Sequence, residues 1–318
     1  MILTVTPNPS IDRTITLAAP LVRGAVQRVR STSAEPGGKG VNVARALSLA
    51  GVPTLALLPA DADDPFLALL AGAAVDHAAV PGPGAVRTNL TITEDDGTTT
   101  KLNEPGANRD ASDVAALTDA VAARAAAADW VVLSGSLPPG MPVDWYAQVV
   151  ALLSGLDCRV AVDTSDAPLD ALAAGFGVAA PDLIKPNSEE LAGLVGASAE
   201  QLEYAVAQGD PAPVVAAAAR LIDRGVRAVL ATLGAAGAVL VDADGAWLAT
   251  PPPITPRSTV GAGDSSLAGY LRADVAGADA AGRIAMAVGY GSAAASLPGS
   301  ALPGPELVDA AAVAVRSI

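Results

Sequence analysis

Short apolar runs alternate with longer stretches in which apolar positions return every three to four residues. The short runs, 2–6, 54–58, 130–133, 159–162, 183–184 and 228–231, predict buried strands. The longer stretches, 41–50, 113–127, 146–153, 188–195, 214–224, 265–276, 279–296 and 305–316, predict helices. The alanine-rich segments 120–128 and 310–314 contain or adjoin charges and read as helical. Such alternation implies an α/β fold of three layers, a mainly parallel sheet with helices on both faces. Several predicted strands end on polar residues, namely Ser134, Asp163, Lys185 and Thr232. In open parallel sheets, ligands bind beyond those carboxyl ends.

Four further segments break this pattern. Residues 12–17 alternate polar and apolar, 26–32 do so weakly, and 86–93 and 98–102 flank the turn Glu94-Asp95-Asp96-Gly97. Half-exposed strands do not belong inside a buried sheet, so a small β-sheet lid is expected, its strands within about 12–32 and 86–102, over one edge of a single 1–318 domain. His77 falls in a loop-like stretch and is expected at the surface, and 197–213 reads as an insertion.

The chain has 318 residues, 51% hydrophobic and 16% charged, enough to bury a sizeable core. No run reaches the roughly 18 apolar residues of a membrane span, and Pro7 and Pro9 interrupt the first strand too early for a signal peptide. A cytoplasmic protein is expected. With one cysteine, Cys158, and one histidine, no disulfide, thiolate cluster or histidine-rich metal site can form within the chain. A net charge of −14 argues against nucleic acid and anionic membranes. The same field repels phosphorylated ligands, so local cations must overcome it. Of 19 basic residues only three are lysines, and two of these, Lys39 and Lys185, lie in glycine- or proline-rich motifs; the third is Lys101.

Ser258-Thr259-Val260-Gly261-Ala262-Gly263-Asp264-Ser265 precedes a helical pattern. Small residues let backbone amides converge, and the helix adds its positive end, so the segment suits an anion. An aspartate at that rim suggests a general base beside a bound phosphoryl group, with an N-capping aspartate on a glycine-rich turn as the alternative. Gly37-Gly38-Lys39-Gly40-Val41-Asn42 also opens a helix. The glycines permit close approach, Lys39 opposes the helix dipole and so invites an anion, and Asn42 suits sugar hydroxyls. Asp12 could hold a polyol or close an Asx-turn. Asn187 and Glu190, three apart, could serve a water-coated Mg²⁺, a capping box, or both. A Walker loop is excluded because glycine follows Lys39, and a dinucleotide fingerprint because Pro7-Asn8-Pro9-Ser10-Ile11-Asp12 follows the first strand.

Gly37-Gly38-Lys39-Gly40-Val41-Asn42-Val43-Ala44, Lys185-Pro186-Asn187-Ser188-Glu189-Glu190-Leu191 and Thr259-Val260-Gly261-Ala262-Gly263-Asp264 occur in the order and spacing of the ribokinase-like (PfkB) carbohydrate kinases, which the chain resembles over essentially its whole length. Thr6-Pro7-Asn8-Pro9-Ser10-Ile11-Asp12, Lys39 and Ser134-Gly135-Ser136-Leu137-Pro138-Pro139-Gly140 are most similar to the branch of 1-phosphofructokinases and tagatose-6-phosphate kinases.

The resemblance implies ATP-dependent phosphorylation of a ketohexose monophosphate, D-fructose 1-phosphate first, with tagatose-6-phosphate or fructose-6-phosphate as the alternative and a non-catalytic sugar-phosphate sensor as the remote one. It implies Asp264 as base, with the amides of Gly261, Ala262 and Gly263 as the anion hole. Asp12, Gly38, Asn42 and Ser136 would bind sugar, and Lys39, Arg87 and Lys101 its phosphate. Lys185, Asn187, Gly263 and the run from Thr232 through Gly234 to Gly237 would face ATP, and Glu190 would act on Mg²⁺ through water. Thr232 stands where many relatives carry serine, with a hydroxyl kept. The lid would pair with a second subunit in a homodimer.

Overall fold

A computed structural model describes residues 1–318. The chain runs β1 (Ile2–Val5), β2 (Ser10–Leu17), β3 (Val29–Gly37), α1 (Lys39–Leu49), β4 (Thr54–Pro59), α2 (Pro65–Gly72), β5 (His77–Val80), β6 (Arg87–Thr93) and β7 (Thr99–Asn103). It continues through α3 (Ala111–Ala125), β8 (Trp130–Ser134), α4 (Trp145–Leu153), β9 (Arg159–Asp163), α5 (Asp166–Ala174), β10 (Leu183–Ile184), α6 (Ser188–Val195), α7 (Ala199–Ala207) and α8 (Ala212–Ile222). The last part holds β11 (Ala228–Thr232), β12 (Ala238–Asp242), β13 (Gly245–Thr250), α9 (Ala262–Val275), α10 (Ala280–Ala295) and β14 (Ala314–Ser317).

Ten strands form one sheet in the order β14-β13-β12-β11-β10-β9-β8-β1-β4-β5. From β11 to β5 every pair is parallel, and β12, β13 and β14 extend the β11 edge antiparallel. Strand alternation divides the core. Leu3, Val5, Val131, Leu133 and Val229 pack under α3 to α8. Ile2, Trp130, Val132, Ala228 and Leu230 point the other way, against α1, α9 and α10. Both faces are covered, which is why these strands read as continuous apolar runs. The chain leaves β1 for β4 on one side and returns to β8 on the other, so β1 is the switch point where a crevice opens.

The other four strands form a separate sheet, β3-β2-β6-β7, with β2 and β6 parallel and its two outer pairs antiparallel. A small separate sheet was expected here, but the strand expected over 26–32 lies at Val29–Gly37. Its strands leave and rejoin the main domain beside the carboxyl ends of β1 and β5. At the return from β3, Gly38 has φ 105°, and a Cβ on Gly40 would stand 2.5 Å from Thr6 Oγ1 and 3.0 Å from the Val5 carbonyl. Gly40→Ala therefore forces α1 off β1. A loss of about 1–3 kcal/mol in urea denaturation is expected.

Three expectations are corrected. Residues 305–316 are not a helix but two single turns, Pro305–Leu307 and Ala310–Ala312, followed by β14. The segment carries alanine propensity, but β13 offers an open edge, and Asp309 caps the second turn by accepting from the Ala312 amide at 3.1 Å. Pairing along that edge outweighs the propensity of residues 313–316. His77 is not in a loop: it opens β5, half-buried and level with Ala56 of β4, with Nδ1 3.0 Å from the Val75 carbonyl oxygen. The stretch 197–213 contains α7, whose Leu202 and Val206 are buried in the core.

Candidate active site

Helix α9 begins on Gly261, whose φ of 75° belongs to glycine. The amides of Gly261, Gly263 and Asp264 donate to no backbone carbonyl, while the Ala262 amide turns back on Thr259 O at 3.3 Å. The uncommitted donors thus include Asp264 itself, and Ala262 contributes least. Residues 261–263 are half-open to solvent, so an anion can reach them. The Asp264 carboxylate does not cap the helix. It lies in the first turn, 7% exposed, and Oδ2 accepts from Asn42 Nδ2 of α1 at 2.9 Å. Burial, and then the charge of Asp163, push its pKa up to about 6 against the pull of Lys39, Asn42 and Lys185. A carboxylate in that range is a better proton acceptor than a free one.

Asp163, one of the polar strand ends, closes β9 and is given no role by the sequence. Fully buried, it binds two lysines: Lys39 Nζ at 3.0 Å on Oδ1 and Lys185 Nζ at 3.3 Å on Oδ2. Burial, its largest single influence, pushes the carboxyl up, but Lys185 and Lys39 together hold it below the usual range. Asp163 in turn raises the Lys39 ammonium. The lysines arrive from opposite sides, Lys39 at the start of α1 and Lys185 just after β10. Lys185 is 5% exposed, and Lys39 keeps 37% of its side chain accessible. A Cβ on Gly263 would sit 3.1 Å from Lys185 Nζ, which places that cation against the start of α9. The only signal for Asp163 in the sequence is its position at a strand end.

On the lid side, Asp12 lies within β2 rather than in an Asx-turn. Its Oδ1 accepts from Ser10 Oγ at 2.7 Å and from Asn89 Nδ2 at 3.1 Å. Burial raises its pKa, opposed by those two bonds and by Arg87 and Arg45. Gly37 faces it closely, because a Cβ there would lie 2.2 Å from Asp12 Oδ2. Gly37→Ala is therefore expected to displace Asp12 and raise KM for the acceptor roughly tenfold, with KM for the nucleotide unchanged in steady-state assays. Ser136, just past β8, receives a hydrogen bond from Asn8 Nδ2 at 3.2 Å, and the same amide reaches Pro105 O at 3.1 Å. Arg87, at the start of β6, donates to the Glu104 carbonyl at 2.8 Å. Lys101 is exposed on β7, on the face that carries Asp12 but one pair further out.

At the β10–β11 end, Asn187 and Glu190 form the capping box: Asn187 Oδ1 accepts from the Glu190 amide at 2.8 Å and Glu190 Oε2 from the Asn187 amide at 2.9 Å. Glu190 Oε1 stays free of protein partners, which suits an ion that keeps its waters and takes one or two carboxylates with phosphate oxygens. Thr232 bridges to Asn187 at the end of β11, and Thr232–Gly237 wraps into a single turn with Gly234 at φ 55° and Gly237 at φ 96°. The predicted residues thus form two groups, one on the lid and at the start of α1 and one at the β10–β11 end, which meet through the Lys39–Asp163–Lys185 and Asn42–Asp264 contacts.

An amide cluster at a helix start, a raised carboxylate beside it and two flanking lysines have the chemistry suited to moving a phosphoryl group onto an alcohol. Comparison with known proteins agrees. The pattern of the pfkB family carbohydrate kinases matches residues 5–307. The chain is 39% identical over 274 residues to a 1-phosphofructokinase of Xanthomonas campestris pv. campestris, which covers 85% of this chain and 83% of that one. It is 38% identical over 320 residues to a 1-phosphofructokinase of Rhodobacter capsulatus, covering 98% and 95%. Among solved structures, phosphofructokinase-2 from Escherichia coli in complex with fructose-6-phosphate superimposes with a TM-score of 0.83 at 29% identity, covering 94% and 95%; that protein is also known in a tetrameric inhibited form. The chain belongs to the PfkB family of carbohydrate kinases and is a sugar kinase, a phosphotransferase with an alcohol acceptor. No helix is long and apolar enough to cross a membrane.

Proposed function

We propose that this kinase transfers the terminal phosphoryl group of ATP to the free primary hydroxyl of D-fructose 1-phosphate, giving fructose 1,6-bisphosphate. The observation that carries the reading is the carboxylate of Asp264, raised to about 6, beside the uncommitted amides of Gly261, Gly263 and its own residue. The relatives named 1-phosphofructokinase support the acceptor. The E. coli neighbour bound to fructose-6-phosphate supports the second reading, a kinase of fructose-6-phosphate or tagatose-6-phosphate. Steady-state kinetics with the three sugar phosphates decides between them. A kcat/KM preference above about 100-fold, roughly 2.7 kcal/mol, identifies the acceptor.

A sugar hydroxyl is far too weak an acid for a carboxylate to ionise in advance. Asp264 orients it and takes its proton late, as the bond to phosphorus forms. The α9 amides stabilise charge on the transferring group, and Lys185, Asn187 and the Thr232–Gly237 turn hold the nucleotide. Mg²⁺, approached through Glu190 and water, supplies charge neutralisation on the phosphates when bound. Lys39, Arg87 and Lys101 hold the phosphate of the acceptor, and Asp12, Gly38, Asn42 and Ser136 its hydroxyls. The lid excludes water. Its far face carries Ile15, Leu90, Ile92 and Leu102, the last 55% exposed, which favours a homodimer paired through the lid. A monomeric mass at micromolar concentration by light scattering contradicts that pairing. The enzyme works in the cytoplasm, as one unit over 1–318.

The base must be ionised to act, so kcat/KM is expected to fall as pH drops through about 6. The substrate phosphate titrates near the same pH. Asn42→Ala separates the two. The Asn42 bond is one influence holding the Asp264 pKa down, so its loss moves the acid limb to higher pH. A limb owed to the substrate stays in place.

A further inference from the structure

Asn89 lies in β6, level with Asp12 across the parallel β2–β6 pair, on the face of the lid that carries Asp12. Its amide nitrogen donates to Asp12 Oδ1 at 3.1 Å and to Ser10 Oγ at 3.0 Å. Ser10 Oγ in turn gives its proton to the same Asp12 Oδ1 at 2.7 Å. Carboxylate oxygens only accept, and the serine hydroxyl has already spent its hydrogen. The amide therefore has one consistent orientation, nitrogen toward Asp12 and carbonyl oxygen away. That oxygen, Asn89 Oδ1, is buried without a partner. On Asp12 both protein bonds fall on Oδ1, and Oδ2 has none. An orphan buried acceptor is unfavourable in the free protein and is removed when a ligand brings a donor. A phosphomonoester dianion brings only acceptors. A sugar hydroxyl brings a donor.

We propose that Asn89 is a further substrate-binding and positioning residue: it pins Asp12 Oδ1 so that Oδ2 meets one hydroxyl of the acceptor, and offers its own Oδ1 to a second hydroxyl of the same sugar. The inference rests on the sugar-phosphate kinase reading above and adds the recognition of a polyol by two acceptors held rigid on adjacent lid strands. Asn89 takes no part in the proton transfer.

The test is a cycle of enzyme and substrate variants. Wild type and Asn89→Ala are assayed with D-fructose 1-phosphate and with its 3-deoxy and 4-deoxy analogues, with fructose-6-phosphate and tagatose-6-phosphate as parent controls. The alanine variant is expected to lose roughly 10- to 100-fold in kcat/KM for the sugar phosphate, mostly in KM, with KM for ATP unchanged. One deoxy analogue should lose a similar factor on wild type and no more on the variant, because the bond is already gone. A merely structural role would impair every substrate by the same additional factor, and that additive pattern with an active wild type overturns the inference alone. Absence of wild-type turnover on all three parent sugar phosphates overturns the kinase reading and this inference with it. Asn89→Ser keeps a small polar residue in the strand and serves as the variant if the alanine protein does not fold.

Discussion

Asp264→Asn should lower kcat by roughly 10²-fold or more, leave ATP affinity nearly intact, and raise the melting temperature of the ligand-free protein. The two effects share one cause. The carboxyl group is held at about 6 by burial and by Asp163, against about 3.9 for an unfolded aspartate. An acid whose folded pKa lies above its unfolded one favours the fold when protonated. That contribution is complete below about pH 4 and is lost as pH rises through about 6. At neutral pH the ionised form therefore weighs against folding by an amount on the order of 2–3 kcal/mol. Asparagine removes the charge, and its carbonyl can still accept the Asn42 amide. Calorimetry at pH 7.5 should show the variant melting higher by a few degrees, with the gap closing toward pH 4. Wild-type turnover in this variant refutes the base assignment. An unchanged melting temperature refutes the strain assigned to the carboxylate.

Asp163→Ala is the second large effect, with opposite sign in stability. The carboxylate is fully buried between Lys39 and Lys185. Removing it leaves Lys39 able to turn toward solvent, but Lys185, 5% exposed, stays inside without its ion-pair partner. Breaking a buried pair by deleting one partner costs about 3–5 kcal/mol, so a fall of that size is expected in urea denaturation. Turnover should fall with it, since both lysines lose the group that sets their positions. A third readout is specific. Asp163 raises the Asp264 pKa whereas both lysines lower it, so without Asp163 the acid limb of kcat/KM should move below pH 6. A variant as stable as wild type, with the limb unmoved, shows that the two lysines do not depend on this carboxylate.

Much of this architecture could be read from the chain, and the failures have physical reasons. Buried parallel strands such as Trp130–Ser134 and Ala228–Thr232 are continuous apolar runs because helices cover both faces, and continuity is a strong signal. The lid strands showed themselves by contrast, as alternation in a chain otherwise free of it. The terminal strand β14 was hidden because the alanines of the turn leading into it favour a helix, and only the open edge of β13 decides otherwise. The site was legible where a motif carries its own local geometry, as with Gly261-Ala262-Gly263-Asp264 at the start of α9 and Asn187 to Glu190 at the start of α6. The roles of Asp163 and Asn89 are not legible in the sequence, for the opposite reason. Each is one polar residue in a strand, and each acquires meaning from partners elsewhere in the chain: two lysines for Asp163, Ser10 and Asp12 for Asn89. The Asp264 alternatives were separable only in three dimensions, where its carboxylate meets Asn42 from another helix.

The most direct test is a crystal structure with a non-hydrolysable ATP analogue and D-fructose 1-phosphate bound together. The account predicts the Asp264 carboxylate within about 2.6–3.2 Å of the free primary hydroxyl of the sugar, with the terminal phosphate on the amides of Gly261, Gly263 and Asp264. A complex that places that hydroxyl beyond reach of Asp264, or the phosphate away from the start of α9, contradicts it.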